Sequence, residues 1–262
     1  MGSATTQART ATSEALASAS GVDLDVAREL FAAVAAVSGS AQLSGALSDS
    51  SVPAEARAGL VSAVFGPSYR PATVELLSRA AQQRWSSAAE FVEGLEELAV
   101  RATSVAETGD IEAELFSFSR TVASNGELEL ALGGRLGDAS AKGTLVSTLL
   151  GGRASAGTAL IVSSLVEHAR GRRVRALLRR AERIVADQRS RIVATVSAAA
   201  PLSADQQTRL QNALSARYGS AVTLNTVIDP TVLGGLRVQV ADDVIDASVS
   251  ARLADLRQRI AG

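Results

Sequence analysis

Apolar positions recur at helical spacing through most of the first 190 residues. Leu30, Val34 and Val37 fall on one helical face, Pro53 marks a helix start, and Leu60, Val64 and Phe65 form the next stripe before Gly66-Pro67 ends it. The pattern then returns as Leu115, Phe118 and Val122, a break at Asn125-Gly126, and Leu145, Leu149 and Leu150 ahead of Gly151-Gly152. Between them the segment Glu90 to Glu107 keeps helical spacing through Leu95, Leu98 and Val105, so it can close one bundle while opening the next. A further helix is predicted from about Val174 to Arg189.

The two helical stretches are copies. Glu29-Leu30-Phe31 recurs 85 residues later as Glu114-Leu115-Phe116, Val37 as Val122, Leu43 as Leu128 and Ala46-Leu47 as Ala131-Leu132. Without a gap, Leu60-Val61-Ser62 returns as Leu145-Val146-Ser147, Gly66 as Gly151, Thr73 as Thr158 and Ser78 as Ser163. A fixed offset of this kind sets the architecture before any local reading does.

Past residue 189 the period changes from helical to alternating. Ile192, Ala194 and Val196 read as a strand ended by Pro201, and Ser203-x-x-Gln206 is a capping box for a helix reaching about Arg217. Val222, Leu224, Val227 and Ile228 predict a second strand, Asp229-Pro230 a turn, and Gly234-Gly235 introduces a third through Leu236, Val238 and Val240. Val249, Leu253, Leu256 and Ile260 share a face of a terminal helix over 248–260. The fold class is therefore mainly α, with two tandem helical-bundle domains over 1–104 and 105–189 and a small α+β (βαββα) domain over 190–262.

Composition narrows the function. Aromatic residues are 3% of the chain against 47% hydrophobic, which favours closely packed helices. With 26 basic and 27 acidic side chains there is no global field toward nucleic acid or anionic lipid. The lack of cysteine removes disulfides, thiolate nucleophiles and thiolate metal sites, and fits a reducing cytoplasm. Met1 to Ser20 do not read as a signal peptide, and the longest apolar run, Phe31 to Val37, is too short to span a bilayer, so no direct membrane insertion is expected.

The block Ile228-Asp229-Pro230-Thr231-Val232-Leu233-Gly234-Gly235-Leu236-Arg237-Val238, followed by Asp243-Val244-Ile245-Asp246, Ser248-Val249 and Arg252-Leu253, resembles the signature of the delta subunit of bacterial F-type ATP synthases, relatives of the oligomycin-sensitivity-conferring protein. Its structural markers here are Asp229, Gly234, Gly235, Asp246 and Arg252. The second helical copy is similar to that family's six-helix N-terminal domain, and the first is like the duplicated domain of actinobacterial members. Ala241 and Ala247 stand where many members carry glycine. The resemblance implies a non-catalytic peripheral-stalk subunit without cofactors, on the cytoplasmic face of the plasma membrane. Its partners would be the N-terminal helices of the ATP synthase α subunits and the b stalk.

Other motifs yield to plainer readings. Asp242-Asp243-x-x-Asp246 has carboxylates for a hard cation but follows a strand, which favours solvated turn carboxylates. Gly137-x-x-x-x-Lys142-Gly143-Thr144 scrambles the order of a phosphate-binding loop and reads as a helix connector. His168, the single histidine, has no cysteine or second histidine with which to build a zinc site, and no nucleophile elbow to serve. Trp85 reads as core. The basic helix over 170–191 reads first as a solvated face. Arg172, Arg173 and Arg180 are its candidates for a partner interface, and nucleic-acid binding by this helix is the competing function. Against nucleic acid, no aromatic stacking pair accompanies the arginines.

Overall fold

A computed structural model describes residues 2–134, 138–189, 191–218, 221–230, 232, 234–240 and 243–246. The chain divides into two compact units, Met1–Val185 and Ala186–Gly262. It passes from one to the other within a single helix, Val174–Gln188.

The first unit holds α1 (Ser3–Ser18), α2 (Leu24–Gly39), α3 (Ala41–Ser48), α4 (Ala54–Phe65), α5 (Pro71–Gln82), α6 (Ala88–Ala106), α7 (Ile111–Ser124), α8 (Gly126–Gly133), α9 (Ala139–Leu150), α10 (Ala156–Glu167) and most of α11 (Val174–Gln188). The repeat is visible in these bounds: adding 85 to both ends of α3, α4 and α5 gives α8, α9 and α10. The same shift carries the start of α1 onto that of α6, and the start of α6 to within one residue of that of α11. Helix α6 is thus the sixth helix of the first copy and the first helix of the second. It packs against α1, α2, α3 and α5 on one side of the sequence and α10 on the other. One continuous core runs from Ala8 to Val185 through both copies, and the expected division near 104 falls inside α6.

Local signals that set the helix ends repeat as well. Ser40 caps α3 by accepting the Leu43 N–H at 3.1 Å, and its counterpart Asn125 caps α8 through the Leu128 N–H at 3.0 Å. Pro71 opens α5 at its first turn, where the missing N–H costs nothing.

Three expectations are corrected. Residues 3–18 form a helix that their low hydrophobicity hid, because its buried face is Thr5, Ala8, Thr12 and Leu16. In α4 and α9 the inward line runs through Val61 and Phe65, and through Val146 and Leu150, which leaves Leu60, Leu145 and Leu149 half-buried and Val64 exposed. Arg57 completes the α4 line, its guanidinium donating to the Gln83 and Gln82 carbonyls at 2.8 and 3.2 Å and so closing the C-terminus of α5. Val105 is exposed too.

The second unit has β1 (Arg191–Ala198), α12 (Ala204–Tyr218), β2 (Ala221–Ile228), β3 (Leu236–Val240) and β4 (Asp243–Asp246) in a sheet of order β2-β1-β3-β4. β1 and β2 are parallel, joined by α12 as the crossover, and β3 is antiparallel to both β1 and β4. Ala194, Val196, Leu214, Val222, Val238 and Val240 form the core. The capping box forms reciprocally: the Ser203 N–H donates to Gln206 Oε1 at 2.9 Å and the Gln206 N–H to Ser203 Oγ at 3.3 Å. β4 was not anticipated, since four residues bearing an aspartate at each end carry little strand signal. The predicted terminal helix over 248–260, with Arg252, lies outside the described residues, as do Ala241, Asp242 and Ala247.

Candidate functional site

Two places collect the sequence candidates: the turn between β2 and β3, and the basic helix α11.

At the turn, backbone geometry accounts for the motif. The Asp229 N–H donates to the Ala198 carbonyl at 2.8 Å and the Asp229 carbonyl accepts the Val232 N–H at 3.1 Å, so the chain leaves β2 while still tied to β1. Gly234 and Gly235 then take φ of 65° and 87°, a left-handed pair that side chains resist, and this reverses the chain into β3. Asp246 closes the sheet edge opposite Arg237. Beside the turn, Ala198, Pro201, Leu202, Leu210, Gly235 and Leu236 line a mostly apolar groove of about 600 Å³. Asp243 is engaged rather than poised for a cation. It accepts the Tyr218 hydroxyl at 2.6 Å, which raises the phenol's pKa, and Arg217 lies 3.9 Å away. Among the described residues no cluster of three or more metal-ligating side chains occurs.

On α11 the arginines divide into two sets. Arg172 grips Glu96 of α6 with two bonds of 2.8 and 2.6 Å, and Arg170 adds a third at 2.8 Å. Arg180 reaches Glu93, Glu96 and Glu97 at 3.5, 3.6 and 3.7 Å, while Arg9 of α1 approaches Glu93 and Glu97 from the other end of the unit's sequence. Burial lowers the pKa of the Arg170 guanidinium, with Glu96 opposing the shift. Arg172 and Arg180 therefore serve an internal network, whereas Arg173 is exposed. The acidic row that pairs with them lies more than 70 residues back in the chain, and sequence reasoning missed it.

It also missed a carboxylate pair inside the repeat. Glu29 accepts the Arg70 N–H at 3.0 Å and the Thr73 hydroxyl, at the start of α5. Its counterpart Glu114 accepts the Ser155 N–H and hydroxyl at 2.9 and 2.7 Å at the start of α10. Burial pushes the Glu114 pKa up, but hydrogen bonds from Thr158 and Ser155 outweigh it and hold the carboxyl below its ordinary value. The matches Glu29/Glu114 and Thr73/Thr158 were the signal.

The remaining motifs are structural. Lys142, Gly143 and Thr144 sit within α9, where Lys142 Nζ donates to the Gly134 carbonyl, while Gly137 lies outside the described residues. His168 Nδ1 lies 3.3 Å from the Ser164 carbonyl at the end of α10. Trp85 is buried, donates to the Ala80 carbonyl at 2.8 Å and meets Phe91 edge-on with ring centroids 5.7 Å apart.

The model for the ATP synthase delta (OSCP) subunit matches residues 88–260, beginning at the first residue of α6. The chain belongs to that family. Full-length relatives share the upstream copy as well. The ATP synthase subunit delta of Leifsonia xyli is 48% identical, covering 100% of both chains, and that of Streptomyces avermitilis is 41% identical over 95% of this chain and 93% of its own. That of Nocardia farcinica is 38% identical over 98% and 97%. A chain of the Toxoplasma gondii mitochondrial ATP synthase hexamer aligns at TM-score 0.35 and 22% identity, covering 64% of this chain and 96% of that one, too distant to place any element. The ordinary family domain is thus α6 to α11, and α1 to α5 are the addition, built onto the helix that both share.

Proposed function

We propose that this chain is a non-catalytic peripheral-stalk subunit of a proton-translocating F-type ATP synthase, on the cytoplasmic face of the plasma membrane. It links the catalytic head to the b stalk and resists rotation. The single observation that carries this is the family match from α6 to residue 260, together with relatives named ATP synthase subunit delta that span the full length.

In this reading the helical unit takes the N-terminal helices of the α subunits and the second unit takes the b stalk. A tether under repeated torque must not come apart between its own domains, and a single core spanning both helical copies supports that role. Holding a partner at nanomolar affinity takes about 12 kcal/mol, which comes from apolar anchors in grooves more than from scattered surface charge. The groove beside Gly235 has the width and lining for an apolar helix face.

The test is co-purification of the intact chain with tagged N-terminal α segments and with tagged b segments. Both are expected to retain it, and Leu202→Glu in the groove is expected to weaken b retention more than 10-fold while leaving α retention unchanged. Retention by neither partner contradicts the reading.

A further inference from the structure

Because α6 and α11 are repeat counterparts, each position on one has an equivalent 85 residues away on the other. The stripe Phe91, Gly94, Leu98 and Ala102 on α6 is buried. Its counterpart on α11, Ala176, Arg179, Arg183 and Asp187, is exposed. Arg175 extends that stripe by one turn and joins Glu129 of α8 at 2.9 Å while remaining 46% exposed. Arg175, Arg179 and Arg183 stand four residues apart, a row of about 12 Å along the helix.

The helix therefore carries two arginine rows. The inner one, Arg172 and Arg180 with Arg170 beside them, is met by Glu93, Glu96 and Glu97, which lie on one face of α6. The outer one has a single glutamate at its first position, and Arg179 and Arg183 have no partner among the described residues.

We propose that the outer row is a docking face for an acidic helix of another protein, one with carboxylates four residues apart. Charge complementarity and the molecule's own precedent set the occupant. On the inner side, guanidiniums of this same helix already read an acidic helix, bidentately at Glu96. On the outer side, Arg175 already takes a glutamate from α8, a helix. Ala176, small and exposed within the row, lets a helix backbone approach closely. A row of about 12 Å spans two helical turns, enough for a helix–helix contact but short for tracking a phosphate backbone. The inference goes beyond the stalk reading and stands independently of it.

The experiment uses the intact chain and a fluorescein-labelled 20-residue alanine–leucine helix with glutamate at every fourth position, read by anisotropy at about 0.1 M salt. The wild type is expected to bind it. Arg179→Glu with Arg183→Glu is expected to weaken binding more than 10-fold, Arg179→Gln with Arg183→Gln by less, and the control Arg153→Glu not at all. Unchanged thermal unfolding of each variant shows that the fold is intact. Failure of the wild type to bind the peptide overturns the proposal, as does equal binding by the double charge reversal. Tighter stripe-dependent binding to duplex DNA or to phosphatidylserine vesicles than to the peptide also overturns it. Retention of tagged α and b segments by the same variants reports separately on the stalk reading.

Discussion

Helices α6 and α11 descend from one repeat position and have been put to opposite uses. α6 serves two bundles, so eleven of its residues are buried and even Glu96 is taken inside. α11 serves only the last bundle, and the stripe that is Phe91, Gly94, Leu98 and Ala102 on α6 has become Ala176, Arg179, Arg183 and Asp187. In a stacked array a terminal unit needs a polar outer face to stop further stacking. The difference teaches that a strongly basic helix need not advertise nucleic acid: part of its charge is held by the helix it packs near, and part marks where the array ends.

The comparison can be broken by exchanging residues across it. Leu98→Arg places the α11 residue on α6 and buries an unpaired charge at a fully enclosed site. It is expected to cost more than about 4 kcal/mol and to unfold the helical unit, while the reverse exchange, Arg183→Leu, is expected to stay within about 0.5 kcal/mol. Circular dichroism melts of both variants decide this. If Leu98→Arg melts like the wild type, α6 is not the enclosed helix described here.

The loop ahead of each helix gives the next contrast. Trp85 and Arg170 are counterparts, and Trp85 fills the space above Gly94, where a Cβ would run into its ring. Trp85→Ala is expected to cost about 3–5 kcal/mol by leaving a cavity. Arg170→Ala is expected to cost roughly 1–2 kcal/mol, because Arg172 still holds Glu96. Denaturant titrations of the two variants measure the gap, and equal costs would remove the asymmetry.

The smallest effects test where the copies agree. Glu29→Gln and Glu114→Gln should each cost about 1 kcal/mol at neutral pH, as the loss of a charged acceptor at a helix N-terminus. Glu114 has a depressed folded pKa, so its contribution is full above the unfolded pKa and is lost as pH falls through the folded one. The stability gap between wild type and Glu114→Gln is therefore expected to shrink below the ordinary carboxylate range. A gap that widens with acid would contradict the assignment. In the second unit, Ser203→Ala should cost about 1 kcal/mol through the capping box.

Much of this was legible in the sequence because its causes are local. Periodicity marked α2 and α11, Ser203 and Gln206 marked the start of α12, and Gly234-Gly235 marked a reversal that requires positive φ. What was not legible depends on distant partners. α1 buries threonine and alanine, which no hydropathy reading selects, although shifting α6 back by 85 residues points straight to it. Val64 and Val105 are apolar yet exposed, since the neighbouring helices decide which line of each helix faces inward. The arginines of α11 looked like surface charge because Glu93, Glu96 and Glu97 lie in the other half of the repeat.

The most direct test of a shared α6 is native-state hydrogen exchange on the intact chain. If both copies are built on that helix, the slowest amides of α2, α5, α7 and α10 open together with one free energy, and Leu98→Arg lowers all four equally. Two separate opening free energies, with α7 and α10 still protected when α2 and α5 have exchanged, would show two independent bundles and contradict the account.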